Sequence, residues 1–543
     1  MIDGQPDITK VVNLTRRKGT GPVRVQRPVY VDSLTPCNAA CPAGENIQAW
    51  LALAQAGRLK EAWERLVADN PFPSVHGRVC YHPCESNCNR RELDGAVRIH
   101  AVERLLGDRA LRDGWRLSMA AQPSGKRILI VGAGPAGLSA AYHLRRLGHE
   151  VEVHDAGPLP GGMLHFGIPA YRLPRADLIA EISRIEDLGV RIVLNHKVED
   201  VLQEQAAGGF DAVFIAIGAH LAKHVEIPAR DAVKVLDAVS LLSDVATGTH
   251  PVLGRRVVIY GGGNTAMDAA RTVKRLGATE TLIVYRRDQV HMTATEFETD
   301  EASAEGVKIK WLRSIKAING DDLTVEVMKL DENGRPQPTG QLETLQADAV
   351  VLAVGQDADS GFLDKIAEIQ HEPDGTVVVT PNMMTGRQGI FAGGDMVATE
   401  RTVTTAVGHG KKAARHIDAW LRATVYESPP KHPIVDFGML NLPIFSDVLP
   451  CNQRELPIDE RTTGFEEVVA GFNEPQALRE AKRCFSCGNC FECDNCFAAC
   501  PEDAIIKSGT GLGYRIDFES CTGCATCVDQ CPCHAMEIIE EPA

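Results

Sequence analysis

The stretch Arg127-Ile-Leu-Ile-Val-Gly132-Ala-Gly134-Pro135-Ala136-Gly137-Leu-Ser-Ala-Ala141 decides how the middle of the chain folds. An apolar run suited to a buried strand leads directly into G-x-G-x-x-G, and a helix-like run opens behind it. Gly132 permits the tight turn, Gly134 lets a pyrophosphate approach the backbone, and Gly137 allows the helix to press on the strand. The helix amino terminus then faces the phosphates. A second strand, Glu150-Val-Glu-Val-His154, ends at Asp155, where an acid accepts hydrogen bonds from ribose hydroxyls. A purely structural turn has no need of both strands and the acid in this register.

The pattern returns at Arg256-Val-Val-Ile-Tyr-Gly261-Gly-Gly263-Asn264-Thr265-Ala266-Met-Asp268, with alanine in place of the third glycine. The following strand, Thr281-Leu-Ile-Val-Tyr285, ends in Arg286-Arg287 instead of an acid. Two cations at that corner suit a 2′-phosphate, so NADP is expected here over NAD. The bland alternative is a solvated loop charge.

Further out, Cys490-Phe-Glu-Cys493-Asp-Asn-Cys496-Phe-Ala-Ala-Cys500-Pro501 is repeated as Cys521-Thr-Gly-Cys524-Ala-Thr-Cys527-Val-Asp-Gln-Cys531-Pro532. Both are C-x2-C-x2-C-x3-C-P, the run of a bacterial two-cluster ferredoxin, in which the fourth cysteine serves the other cluster. The expected ligand sets are Cys490, Cys493, Cys496 with Cys531, and Cys521, Cys524, Cys527 with Cys500. Structural zinc leaves the prolines and the duplication unexplained. A disulfide framework fits neither the spacing nor a large chain. A nicotinamide delivers two electrons as a hydride, whereas a 4Fe–4S cluster takes one. A flavin mediates between them, so FAD is expected in the first nucleotide unit and the nicotinamide in the second.

Composition bounds the rest. The 543 residues suffice for three or four domains, and 44% apolar with 24% charged residues is ordinary for a globular chain. A formal net charge of −15 argues against nucleic acid and anionic membrane surfaces as partners. No apolar run of about 18 residues is present, so no membrane span is expected. The opening Met1-Ile-Asp-Gly-Gln5 lacks a signal-peptide pattern. With 17 cysteines, this points to metal clusters in a reducing, cytoplasmic compartment.

Five cysteines lie between Cys37 and Cys88, eleven between Cys484 and Cys533, and Cys451 stands alone. The expected organisation is a helical amino-terminal iron–sulfur domain (1–124), the first half of an FAD domain (125–250), an NAD(P) domain (251–354), the second FAD half (355–425), a linker (426–480) and a 2×4Fe–4S ferredoxin-like domain (481–543). The class is multidomain α/β with two Rossmann-like dinucleotide-binding domains. In the head, apolar spacing over residues 47–69, broken at Gly57, predicts two helices with Trp50 and Trp63 in the core. Cys451 and Cys533 read as buried free thiols.

The strings Gly77-Arg-Val-Cys80, VGAGPAGL, GGMLHFGIPAYRLP (161–174), GGGNTAMD, Tyr285-Arg286-Arg287 and Phe391-Ala-Gly-Gly394-Asp395 carry a resemblance. Over residues 37–417 the chain resembles the small (beta) chain of glutamate synthase and the flavin half of dihydropyrimidine dehydrogenase. The resemblance implies FAD lying across Gly132, Gly134, Pro135, Ala136, Gly137 and Asp155. The 161–174 loop, with Gly162, Met163, Gly167, Ile168 and Arg172, would run along the isoalloxazine. Gly218, Gly394, Asp395 and Thr404 complete that site, and the helix over 402–417 would aim its amino terminus at the ring. Gly261, Gly263, Asn264, Thr265, Ala266, Arg286 and Arg287 would hold the nicotinamide nucleotide. Gly355 would mark the return to the FAD domain.

The same family carries four and then three cysteines in the head, whereas this chain has Cys37 and Cys41, then Cys80, Cys84 and Cys88. Carry-over yields one site, Cys41, Cys80 and Cys84 with Glu103, and leaves Cys37 and Cys88 short of two corners. Cys484 and Cys487, unused by the ferredoxin runs, are expected to fold back and complete a second head cluster. The alternative is four free or structural cysteines.

The tail, through Cys493-Asp-Asn-Cys496 and Tyr514-Arg-Ile-Asp517-Phe, resembles the small ferredoxin (delta) chain of 2-oxoacid:ferredoxin oxidoreductases. The expected function is the NAD(P)-reducing electron-transfer subunit of a 2-oxoacid oxidoreductase complex, with a thiamine-diphosphate partner subunit. Free ferredoxin is a further candidate partner. Two alternatives are a glutamate synthase small chain, which should not need the tail, and a passive electron-carrying scaffold. No acid–base or nucleophilic catalytic residue is expected, because cofactors carry the chemistry.

Overall fold

The strand Arg127–Val131 is buried over four of its five residues, as a strand covered on both faces must be. It sits at the centre of a parallel sheet in the order Ile390–Ala392, Ala212–Ile215, Arg127–Val131, Glu150–His154, Arg191–Val193. The edge strand Ile390–Ala392 arrives only after the chain has built a second parallel sheet. That sheet runs Lys308–Trp311, Glu280–Tyr285, Arg256–Tyr260, Ala349–Leu352, Lys234–Asp237. An antiparallel ribbon of Arg313–Asn319, Asp322–Leu330 and Pro336–Gln346 flanks it. Leu221–Ala222 pairs with Gln356–Asp357 where the chain leaves the first unit and where it returns. The computed structural model describes residues 24–118, 121–223, 225, 227–230, 234–430 and 432–541; the expectation about Met1–Gln5 lies outside them.

Two segments depart from the expected organisation. Lys234–Asp237 pairs with Ala349–Leu352, so the second unit begins ahead of residue 250. The strand is short and partly exposed, with no glycine turn to mark it. Residues 426–480 are not a free linker. Phe472, Ala477 and Ala481 are buried in the core of the amino-terminal helices, and the helix Glu474–Lys482 packs on Ile47–Gln55 and Ile99–Arg112. A capping box at Asn473 starts that helix, hidden in the sequence behind a proline-rich approach.

The head forms the helices Ile47–Gln55 and Leu59–Val67, separated at Gly57, with Trp50 and Trp63 fully buried. Strand Gln26–Tyr30 pairs antiparallel with Met536–Glu540, from Gln26 opposite Glu540 to Tyr30 opposite Met536. Head and tail are therefore zipped together. In the tail, short helices Asn495–Ala499 and Thr526–Asp529 carry the third cysteine of each run. Asp494 and Ala525, at equivalent places, share the same left-handed backbone conformation, so the duplication seen in sequence is a duplication in space. Among the described residues no helix is long and apolar enough to cross a membrane.

Candidate functional site

A cavity of about 580 Å³ opens along the carboxyl ends of the first sheet. Gly132, Gly134, Pro135, Ala136, Asp155, Gly162, Met163, Gly218, Gly394 and Asp395 all line it. The helix Pro135–Arg146 starts on this cavity with no side chain capping its free amides, which is the arrangement an anion fills. A Cβ on Gly132 would stand 2.4 Å from the Ala216 carbonyl oxygen, and one on Gly137 would stand 1.9 Å from that of Gly132. At Gly134 an added Cβ meets no protein atom within 4 Å, and its backbone is extended. The first two glycines answer to packing; Gly134 answers to something that occupies the cavity.

Asp155 accepts hydrogen bonds from the amides of Ala133 (2.6 Å) and Gly157 (2.7 Å), which fixes its carboxylate at the end of its strand. Asp395 lies deep in the cavity wall, where burial lifts its carboxyl to about 6 against weak opposition from Arg401. Beside it, the Gly394 amide donates to His409 Nδ1 (3.2 Å), and burial holds that imidazole in its neutral form. The helix Val403–Leu421, capped by Thr402, points its amino terminus at the same cavity through Ala406. These features suit a flavin dinucleotide.

Other expected contacts fall elsewhere. Arg172 turns away: its guanidinium pairs with Asp268 (2.8 Å) and Glu298 (2.5 Å) and borders a separate cavity of about 400 Å³. It ties the 161–174 loop to the second unit, a long-range role that spacing gives no hint of. Gly167 lies against Met163 within the loop, Ile168 packs on the core of the first unit, and Thr404 donates its hydroxyl to Cys80 Sγ (3.1 Å). Gly355 borders a smaller cavity with Lys223, Gln356 and Arg401.

In the second unit, a Cβ on Gly261 would lie 2.2 Å from the Ala353 carbonyl oxygen, and Ala266 is fully buried. Gly263 precedes the helix Asn264–Arg275, which again lacks a side-chain cap. Asn264 donates to the Tyr81 hydroxyl (2.6 Å) and accepts from the Thr295 amide (2.9 Å), while Thr265 lies 3.4 Å from the Gln356 amide nitrogen. Arg286 is exposed; Arg287 is half-buried with an Nε that has no hydrogen-bond partner in the protein. An orphaned guanidinium nitrogen at that corner fits a 2′-phosphate.

The cysteines gather in four sets. Cys490 has Cys496, Cys493 and Cys531 as its electrostatic neighbours, and burial pushes its thiol up to about 11. Cys500, Cys521, Cys524 and Cys527 line one small cavity together. Cys41 and Cys80 lie beside Glu103, with Cys84 beside both cysteines. Glu103 is buried and takes a hydrogen bond from Asn70 (3.0 Å), which also touches Glu45 and His76 in a polar knot that no local spacing announces. Cys37, Cys88, Cys484 and Cys487 form the fourth set and border one small cavity. Cys451 and Cys533 belong to none: the first lies against Gln476, the second is buried against Asn489.

Tetrahedral zinc would draw four sulfurs to within about 3.8 Å of each other. Among the described residues, the groups of metal-capable side chains whose donor atoms all lie within 4.8 Å contain no cysteine. No three sulfurs of a set therefore lie as close together as a tetrahedral zinc site would hold them.

The match to known proteins follows this division. Residues 126–410 match the pyridine nucleotide-disulphide oxidoreductase family, 26–115 match dihydropyrimidine dehydrogenase domain II, 4Fe-4S cluster, and 514–537 match the 4Fe-4S binding domain. The chain is 36% identical over 499 residues to the NADP(+)-dependent formate dehydrogenase subunit beta of Moorella thermoacetica, covering 83% of this chain and 70% of that one. It is 32% identical over 521 residues to the NADPH-Fe(3+) oxidoreductase subunit beta of Geobacter sulfurreducens, covering 86% and 77%. With the glutamate synthase [NADPH] small chain of Azospirillum brasilense it shares 34% identity over 418 residues, covering 71% and 86%. The chain belongs to the pyridine nucleotide-disulphide oxidoreductase family, as an iron–sulfur flavoprotein oxidoreductase related to glutamate synthase small chains and carrying 4Fe–4S domains at both ends.

Proposed function

We propose that this chain is the nucleotide-facing subunit of a heteromeric redox complex, linking NADP(H) to a partner enzyme through FAD and a line of 4Fe–4S clusters. The observation that carries this reading is the tail. Its two cysteine quartets follow the nucleotide units in a domain of their own, where Cys490 and Cys524 are exposed, as are the apolar Phe497 and Leu512. An open cluster edge and exposed apolar side chains suit a docking electron donor or acceptor. The relatives, two of them beta subunits and one a small chain, support a multisubunit setting.

Bound FAD supplies the exchange between hydride and single-electron chemistry. The residues bind and orient. Free amides of Pro135–Arg146 receive a pyrophosphate, and Asp155 holds the ribose end. Arg286 and Arg287 select the phosphorylated nucleotide. Arg172, paired with Asp268 and Glu298, sets the angle between the two nucleotide units.

For the partner, the reading is a thiamine-diphosphate 2-oxoacid oxidoreductase. Oxidation of a 2-oxoacid with coenzyme A to an acyl-thioester and carbon dioxide releases the two electrons that reduce NADP+ to NADPH. The two motifs that carry the likeness to a delta chain pack on each other: the Tyr514 hydroxyl donates to Asp494 (2.5 Å) between Cys493 and Cys496. A formate-oxidising partner is a second reading, favoured by the 36% identity to a formate dehydrogenase subunit. Native co-purification with subunit identification tests both. Recovery with a thiamine-dependent subunit supports the first, and recovery with a formate-oxidising subunit supports the second. A large amidotransferase would overturn both.

A further inference from the structure

Cys37, Cys88, Cys484 and Cys487 come from opposite ends of the chain, yet they border one enclosed space together with Leu51, Ile99 and Arg90. We propose that these four side chains are the corners of a single 4Fe–4S cluster, built half from the amino-terminal domain and half from the segment just ahead of the ferredoxin runs. It rests on the cluster reading of the cysteines, and not on any choice of partner enzyme.

Three independent features carry the inference. The first is the polar support on the sulfurs. The Ser486 amide donates to Cys484 Sγ and the Asn89 side-chain amide to Cys487 Sγ, both at 3.4 Å. Donors aimed at sulfur are what an anionic, metal-bound thiolate needs, and they tune its potential.

The second is the way the carboxyl-terminal segment is held in place. Arg483, buried, donates to the carbonyls of Val448 (2.7 Å), Gly95 (2.6 Å) and Ala96 (3.0 Å) and pairs with Asp94 (2.9 Å) and Glu480 (2.9 Å). Arg90, two residues beyond Cys88, donates to the Arg483 carbonyl (3.1 Å) and lies over the buried Phe485 ring at 4.7 Å. Cys484 is therefore pinned against the loop that carries Cys88 by charge-assisted bonds on both sides. Nothing in the ferredoxin domain itself calls for this docking.

The third is burial. All four thiols face one small space walled by Leu51, Val97 and Ile99. Four sulfurs gathered there as bare thiolates would repel one another in low dielectric, and a cationic iron core removes that penalty. The arrangement leaves only Cys451 and Cys533 outside a cluster set, and it stations a cluster at the junction of head and tail, three residues ahead of Cys490.

Anaerobically purified full-length protein tests the inference by native mass measurement and by iron, sulfide and zinc assay per FAD. Four clusters per chain are expected in the wild type, and three in a Cys484→Ala/Cys487→Ala double variant with FAD content unchanged. Cys37→Ala, at the other end of the chain, should abolish the same electron-paramagnetic signal in the dithionite-reduced protein. An unchanged iron-to-FAD ratio in the double variant would overturn the proposal, as would zinc in place of the fourth cluster. Should the double variant fail to fold, the wild-type count decides, and three clusters there would overturn it. Flavin bleaching by NADPH is scored separately, so loss of this cluster is distinguishable from failure of the functional reading.

Discussion

Replacing Gly134 by alanine separates a glycine kept for a ligand from one kept for the fold. In the protein the backbone at Gly134 has φ −79° and ψ −178°, a conformation open to any residue, and the new Cβ would touch no protein atom within 4 Å. The flavin-free variant should therefore melt with the wild type. The methyl instead enters the space against the free amides of the helix Pro135–Arg146. Overpacking by one methyl costs about 1–3 kcal/mol, so the FAD dissociation constant should rise about 5- to 150-fold. Gly137→Ala is the opposite case: its Cβ would fall 1.9 Å from the Gly132 carbonyl oxygen, and helix and strand must part. The same range of cost then appears as lost stability, a melting temperature lower by about 2–12 °C even without flavin. The assays are flavin per chain from visible absorbance, titration of FAD into stripped protein, and thermal scans of the stripped forms. If Gly134→Ala binds FAD as tightly as the wild type, the cavity does not seat a pyrophosphate at this turn.

Arg287→Ala should weaken NADPH use about 10- to 150-fold in kcat/KM, the loss of one charged hydrogen bond of about 1.5–3 kcal/mol, while leaving NADH kinetics unmoved; equal losses with both nucleotides would refute the 2′-phosphate assignment. Arg172→Ala strands the buried Asp268 and Glu298 carboxylates and should cost about 3–5 kcal/mol, seen as a large drop in denaturant midpoint, with little change in FAD affinity. Asp395 has a folded pKa of about 6, above its unfolded value, so the folded state binds the extra proton and stability falls as pH rises between about 4 and 6. Flavin-free Asp395→Asn should therefore be more stable than the wild type at pH 8, and the difference should vanish below about pH 4. Thr404→Val removes the hydroxyl donor to Cys80 Sγ and should shift one cluster's midpoint by roughly −40 mV in a redox titration, the equivalent of about 1 kcal/mol for one electron.

What the sequence disclosed is what local chemistry dictates. Glycine turns between strand and helix need particular residues at fixed offsets, so Gly132, Gly134 and Gly261 announce themselves. The tight cysteine spacing of the tail likewise leaves little freedom, and Cys500 sits with Cys521, Cys524 and Cys527 as the run requires. What stayed hidden depends on contacts far apart in the chain. Arg172 reads as a cofactor residue from its loop, yet Asp268 and Glu298 claim it from a different unit. Residues 426–480 look like a linker because prolines open them, although Phe472 and, on the helix that follows it, Ala477 are buried in the core of the head. The zipper between Gln26–Tyr30 and Met536–Glu540 joins segments more than 500 residues apart, and neither strand names its partner. Pairing of Cys37 and Cys88 with Cys484 and Cys487 followed only from counting unspent thiols.

The central claim is that hydride chemistry at the nucleotide end is joined to single-electron chemistry at the cysteine-rich ends. Stoichiometric NADPH added to the anaerobic, FAD-loaded protein tests it in one cuvette and one spectrometer tube. The account predicts bleaching of the flavin band together with new electron-paramagnetic signals from reduced 4Fe–4S clusters. A flavin that stays oxidised, or one that bleaches while clusters reducible by dithionite remain silent, would contradict it.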